Sequence, residues 1–243
     1  MGVNHKGAGQ GAGMDEETRY ESPFNSIPPV VLILVFAVIG VEAVLTLAGS
    51  GVLPQPGALG WRLDLVERFA VSPVVLDRVV SGADRSLDML LRFVAYPFVH
   101  LGLTHAAFAA VMLLALGKFL GDAWSALSLI VLMLLATLAG AVAHGLFASH
   151  PQMPLVGAYP AIYGLIGGFT YVQWLRAGQD GGSRWLAFRL IGVLLGLQLV
   201  FGLMFGSIPH WQADVTGFVV GLVASPILGP GGWAHFLSRI RQR

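Results

Sequence analysis

The chain contains no cysteine. That excludes disulfides, thiol nucleophiles and cysteine-ligated metal, and leaves the redox compartment open. Charge is scarce as well. Of 243 residues only 11% are Asp, Glu, Lys or Arg, where a soluble globular domain carries about 25%. The net charge is +1, and the 14 basic residues lie in short clusters. They form no stripe for a phosphate backbone to follow, so no nucleic acid is expected as a partner. What fills the chain instead is apolar: 56% of it is hydrophobic and the mean hydropathy is +0.74. Lipid is the solvent that this composition fits.

Residues 1–27 are the polar, glycine-rich exception. They lack the basic start and short apolar core of a secretory signal, and Lys6 in "MGVNHK" stands where myristoylation wants Ser or Thr. They read as a disordered cytoplasmic tail. An apolar run of about 20 residues crosses a bilayer as a helix, and six such runs follow, near 28–52, 104–121, 124–147, 158–175, 187–206 and 212–228. Ser26 with the Pro28–Pro29 pair signals the start of the first. The domain organisation expected is a tail over 1–27, a membrane domain over 28–228 and a basic cytoplasmic tail over 229–243. The fold class is an all-α membrane protein, a six-helix bundle with a long loop over 53–103 between the first two spans. That loop is mixed in sign and amphipathic ("WRLDLVERFAV", "DRSLDMLLRFV"), and reads as short helices lying against the membrane surface.

Lys and Arg in short loops mark the cytoplasmic side. With six spans, the side of the termini carries Lys118, Arg176, Arg184 and Arg189, while the two short loops opposite, near 149–157 and 206–211, carry none. Both termini are therefore expected in the cytoplasm and the long loop outside, in an integral multi-pass protein of the bacterial inner membrane.

Three stretches begin or end at the outer level: "YPFVHLGLTHAAFAAVMLLALGKFLG" (Tyr96–Gly121), "VGAYPAIYGLIGG" (Val156–Gly168) and "HWQADVTGFVVGLVAS" (His210–Ser225). Together with the span layout they resemble the rhomboid intramembrane serine proteases. The resemblance implies a second span that opens on two His five apart, here His100 and His105, followed four residues later by an Asn, here Ala109. It implies Gly-x-Ser-Gly at the fourth span, here Gly157–Ala158–Tyr159–Pro160, with Tyr159 in the nucleophile position. It implies a base His in the sixth span with Gly three and seven residues on. The glycines are present as Gly217 and Gly221, and the base position holds Asp214.

These replacements bear directly on chemistry. A serine nucleophile needs a base within hydrogen-bond reach and donors for the developing oxyanion. A phenol with a pKa of about 10 is a poor acyl acceptor and fills the cavity. An ionised Asp with an ordinary pKa of about 4 is a weak base, Ala109 donates nothing, and Pro160 stiffens the turn. The expected protein is thus similar to a catalytically inactive rhomboid, a pseudoprotease. It would bind transmembrane segments of other membrane proteins, and lipid, as an adaptor, quality-control or assembly factor. The sequence offers two rivals. One is an active endopeptidase with a displaced nucleophile such as Ser207 or Thr216, and the other is a structural subunit of a larger complex. A proton-linked transporter finds no inverted repeat to support it.

Several residues carry separate expectations. Gly157, Gly164, Gly217 and Gly221 read first as close-packing positions between spans. Glu42, an acid inside the first span, is expected to be protonated and bonded to Gln198 of the fifth. Tyr159 is expected to donate to Asp214, locking the fourth and sixth spans together and leaving the fifth free. His100, His105, His144, His150 and His210 gather toward the outer half, but their spacing matches no ligand motif, so no metal and no cofactor are expected. The oligomeric state is not legible.

Overall fold

The computed structural model describes residues 2, 27–52, 57–205 and 210–232. Most of both tails, with Ser26 and Ser207, lies outside them. The first span is α1 (Pro29–Gly49), which opens with Pro29 at its first position, where a missing N–H costs nothing. Three short helices follow in the expected long loop: α2 (Trp61–Phe69), α3 (Pro73–Ser81) and α4 (Leu87–Ala95). Ser72 caps α3 by accepting from Val75 N, and Ser86 caps α4 by accepting from Met89 N. Val75, Leu76, Met89 and Phe93 turn their apolar faces inward, and these pack with Ala141 of the third span rather than lying free on a surface.

The remaining long helices are α5 (Leu103–Gly121), α6 (Ala126–Phe147), α7 (Tyr159–Gln179), α8 (Arg189–Phe205) and α9 (Trp211–Leu228). Five helical stretches are long and apolar enough to cross a membrane: 29–49, 103–121, 126–147, 184–204 and 211–228. The chain is an integral, multi-pass membrane protein. The fourth expected span, α7, has the length at 21 residues but is not among the five. It is the central helix, and its first ten residues from Pro160 are largely enclosed by other helices, with Ile162, Leu165 and Ile166 at most 1% exposed. A helix that meets protein rather than lipid can carry Tyr, Thr and Gly where its neighbours carry Val and Leu.

Close packing around α7 depends on glycines. A Cβ on Gly217 would overlap the Pro160 carbonyl, one on Gly221 would overlap Gly164, and one on Gly167 would overlap the Phe218 carbonyl. The backbones of α7 and α9 therefore touch directly along two turns. By contrast α8 stands at the edge, with Val193, Leu197 and Leu203 more than half exposed. The antiparallel arrangement brings α2–α4 and the starts of α5, α7 and α9 to one end of the bundle. Lys118, Arg176 and Arg184 lie at the other end, where the Arg176 guanidinium covers Phe119 and that of Arg184 covers Trp174.

Candidate functional site

The candidate site forms where the loop before α5 meets the turn before α7. Gly157 has φ +96°, a left-handed conformation that favours glycine. A Cβ there would stand 2.8 Å from Cε1 of His105, so the turn can sit against the imidazole only because the residue is glycine. Gly157 N donates to the Tyr96 carbonyl at 3.0 Å, and Ala158 N donates to His100 Nε2 at 3.4 Å. The second contact places the His100 proton on Nδ1. His100 lies outside the spans, and burial, followed by the neighbouring His105, pushes its pKa down from 6.5 to about 4. It is a neutral ring holding a backbone turn.

His105 accepts from Leu101 N through Nδ1 at 3.4 Å, which leaves its proton on Nε2. The ring packs edge-on to His100, 5.1 Å between centroids, and lies flat on the ring of Tyr159 at 4.8 Å and 9°. Tyr159 is the first residue of α7 and is half-buried. Its hydroxyl donates to the His105 carbonyl at 3.4 Å. Ala109, one turn below His105, is fully buried in the core between α1, α5 and α7. His100, His105, Gly157 and Tyr159 meet in one cluster of contacts, and Pro160 packs on Gly140 and Gly217.

Two expected partnerships are replaced by others. Tyr159 does not hydrogen-bond Asp214. Asp214, 5% exposed on the first turn of α9, accepts through Oδ2 from Gln198 Nε2 at 2.8 Å. The same amide nitrogen donates to Tyr163 Oη at 2.9 Å. Tyr163 lies one helical turn further into the membrane than Tyr159, so the acid at the family's base position is joined to α8 and to the second tyrosine of α7. This also corrects the expectation that the fifth span is free, because Gln198 fastens it to both α7 and α9.

Glu42 likewise has a different partner. It is 1% exposed and forms a two-pronged ion pair with Arg62 of α2: Nη2 donates to Oε1 at 2.8 Å and Nη1 to Oε2 at 2.9 Å. Thr46 Oγ1 adds a third hydrogen bond at 2.9 Å. Arg62 Nη1 also donates to the His100 carbonyl at 2.6 Å. An unbroken polar chain thus runs from the first span through α2 to His100 and on to the Ala158 amide. Arg62 has no sequence signal of its own, since it lies in a loop whose charges balance, five Arg against five Asp or Glu over 53–103.

A second histidine pair sits at the same end. His144, in the last turn of α6, and His210, the residue before α9, face each other with ring centroids 4.9 Å apart. His150 is exposed on the turn between α6 and α7, and Thr216 lies on α9 two residues beyond Asp214. Among the described residues no three His, Asp or Glu side chains are grouped as a metal site would require.

The site as built has a stacked tyrosine where the resemblance places a nucleophile, an acid bound to an amide where it places a base, and a buried methyl where it places an oxyanion donor. A comparison with curated proteins gives no match. The family model described as the Rhomboid domain matches residues 87–231, more than half of the chain, and it spans every motif from the His pair to the glycines of α9. The chain belongs to the rhomboid family.

Proposed function

We propose that this rhomboid-family protein is a pseudoprotease, a six-span membrane protein that binds transmembrane segments of other membrane proteins without cleaving them. The observation that carries the reading is the stack of Tyr159 on His105. The aromatic ring occupies the motif position that would otherwise hold a serine hydroxyl, and its own hydroxyl turns toward a backbone carbonyl. Asp214 supports the same reading, since its bound oxygen faces Gln198 rather than any hydroxyl that could serve as nucleophile. In this reading α7 is the sixth crossing, kept from lipid by the helices around it. The termini are cytoplasmic, because Lys118, Arg176 and Arg184 lie at the end opposite the site.

The client surface is the edge at α8, where Val193, Leu197 and Leu203 present exposed apolar side chains beside a single polar fastening at Gln198. An adaptor, quality-control or assembly role uses this surface with the chemistry removed. The reading is tested by pairing a fluorophosphonate probe with photo-crosslinking from positions 193, 197 and 203 in cells. Absence of probe labelling together with crosslinks to membrane proteins is the expected result. Labelling abolished by Thr216→Ala or Ser207→Ala overturns it. A reporter at residue 82 that reads cytoplasmic overturns the orientation.

A further inference from the structure

We propose that His144 and His210 form a binding site for a divalent transition-metal ion, of the zinc class, that clamps the end of α6 to the start of α9. Three observations converge on this pair. The first is distance. His144 Nδ1 and His210 Nδ1 stand 3.4 Å apart, longer than the usual 2.9–3.0 Å of a hydrogen bond from nitrogen. Two nitrogens each 2.0–2.1 Å from a tetrahedral zinc stand about 3.4 Å apart. The separation is that of two ligands around one ion.

The second is what holds the rings. His144 Nε2 bonds the Met153 carbonyl at 2.9 Å, which puts its proton on Nε2 and leaves the Nδ1 lone pair facing His210. A ligating histidine characteristically donates its other ring nitrogen to a carbonyl or carboxylate in this way. The third is backbone. His210 has φ +64° and is the only non-glycine residue with positive φ among those described. A left-handed conformation costs a residue with a Cβ of the order of 1 kcal/mol. Here the residue so held packs its ring against that of His144 on α6. Gln212 Nε2 donating to the Phe147 carbonyl at 2.9 Å fastens the same two helix ends one step away, so the geometry of the pair is supported.

Imidazole suits zinc, copper and nickel, and both rings supply neutral nitrogen. Among the described residues no third His, Asp or Glu completes the site. The ion would keep water in its remaining positions, and binding is weaker than at a three- or four-ligand centre. No step of catalysis is attached to it. Its consequence is structural: α9 carries Asp214 and the glycines that pack on α7, so an ion here fixes the register of that helix.

The test uses the full chain in detergent, stripped with a chelator and titrated with zinc alone. About one zinc per chain at micromolar free concentration, with a rise of a few degrees in the melting midpoint at excess zinc, is expected. The decisive variant is His210→Asn. Asn tolerates the left-handed backbone and can still donate to His144 Nδ1, so it keeps a hydrogen bond and loses a ligand. It should abolish both the stoichiometric binding and the shift, while His150→Ala leaves both unchanged. His144→Ala should also lose zinc, but its ring is fully buried, so His210→Asn decides the matter if that variant fails to fold. No binding by the wild-type protein, or equal binding by His210→Asn, overturns the proposal and leaves a long hydrogen bond between two neutral imidazoles.

Discussion

The ring of Tyr159 lies 4.8 Å from that of His105 and within 9° of parallel to it. The stack makes the first turn of α7 a filled aromatic contact where a serine protease needs an open hydroxyl beside a base. Tyr159→Ser should therefore not create a protease. The new hydroxyl would lack a free base, because Asp214 is bonded to Gln198, and Ala109 still offers no donor. Each missing oxyanion donor alone is worth about 100-fold or more in rate. Expected is no fluorophosphonate labelling of Tyr159→Ser and no cleavage of transmembrane substrates. Labelling at residue 159 would show that the turn retains a working base.

The Glu42–Arg62 pair should matter more for stability than its loop position suggests. Glu42 is 1% exposed and Arg62 27%. Removing Arg62 leaves a buried carboxylate with Thr46 alone, and frees the His100 carbonyl. Breaking a buried pair costs about 3–5 kcal/mol, and the partial exposure of Arg62 argues for the low end or below, about 2–3 kcal/mol. Arg62→Ala should lower the melting midpoint by several degrees. Glu42→Gln added to it should recover part of the loss, since the stranded charge is gone. A wild-type midpoint for Arg62→Ala refutes this.

How far the sequence reached follows from these contacts. Span positions came within a few residues because hydropathy and proline–glycine punctuation are local signals. The residues of the candidate site were legible because the motifs lie on three stretches in a fixed order. Pairing was not. The sequence reads Glu42 as an acid that needs a partner inside the membrane and offers Gln198 for it. Arg62 instead enters from a loop helix, and Gln198 reaches an acid on α9. Nothing in a one-dimensional pattern says which of two buried acids a given amide meets. His144 and His210 were both named as outer histidines, yet their pairing depends on a positive φ at His210 that no sequence rule assigns to histidine. The helix expected as the fourth span is legible in length, and its low hydropathy fits its place at the centre of the bundle.

The direct contact of α7 and α9 gives a sharp test of packing. A methyl group on Gly221 would overlap the backbone of Gly164, and a backbone cannot rotate away as a side chain can. Gly221→Ala should force the helices apart and destabilise the fold by 1–3 kcal/mol or somewhat more, in the manner of an overpacked core. Gly192→Ala on α8, where a Cβ would meet nothing within 4 Å, is the control and should melt as wild type. Equal midpoints for the two variants would remove the glycines from the account of the fold.

Acid should loosen the site end of the bundle. His100 and His210 lie outside the spans, and burial, ahead of the neighbouring imidazoles, pushes each down from 6.5 to about 4. With folded values below the unfolded one, the unfolded chain takes up protons first. The stability that these neutral rings contribute is complete above pH 6.5 and is lost as pH falls toward 4, by of the order of 3 kcal/mol per ring at most. The melting midpoint should hold between about pH 7 and 8 and fall below about 6.5. His100→Gln, whose amide oxygen can still accept from Ala158 N, should fall less steeply. An identical slope in that variant would show that His100 does not carry the effect.

Gln198 should control how tightly α8 is held. Its amide supplies two side-chain hydrogen bonds, one to Tyr163 on α7 and one to Asp214 on α9. The rest of the helix shows lipid a mostly exposed apolar face. At about 1 kcal/mol for each hydrogen bond, losing both favours the detached state of α8 by about 30-fold. Gln198→Leu keeps the bulk and removes the donor. Backbone amides of α8 should then exchange hydrogen faster by a factor of that order, while those of α7 and α9 near Gly164 and Gly221 change little, because their packing does not involve α8. The melting midpoint should fall by a few degrees, because the buried Asp214 loses the amide that it accepts from. On the proposed binding role, photo-crosslinks from position 197 to membrane proteins should rise, since a helix that opens more often would admit a client segment more often. Unchanged exchange in α8 would show that lipid-facing packing, and not this fastening, holds the helix in place. A uniform rise in exchange across α7 and α9 would show instead that Gln198 supports the whole bundle.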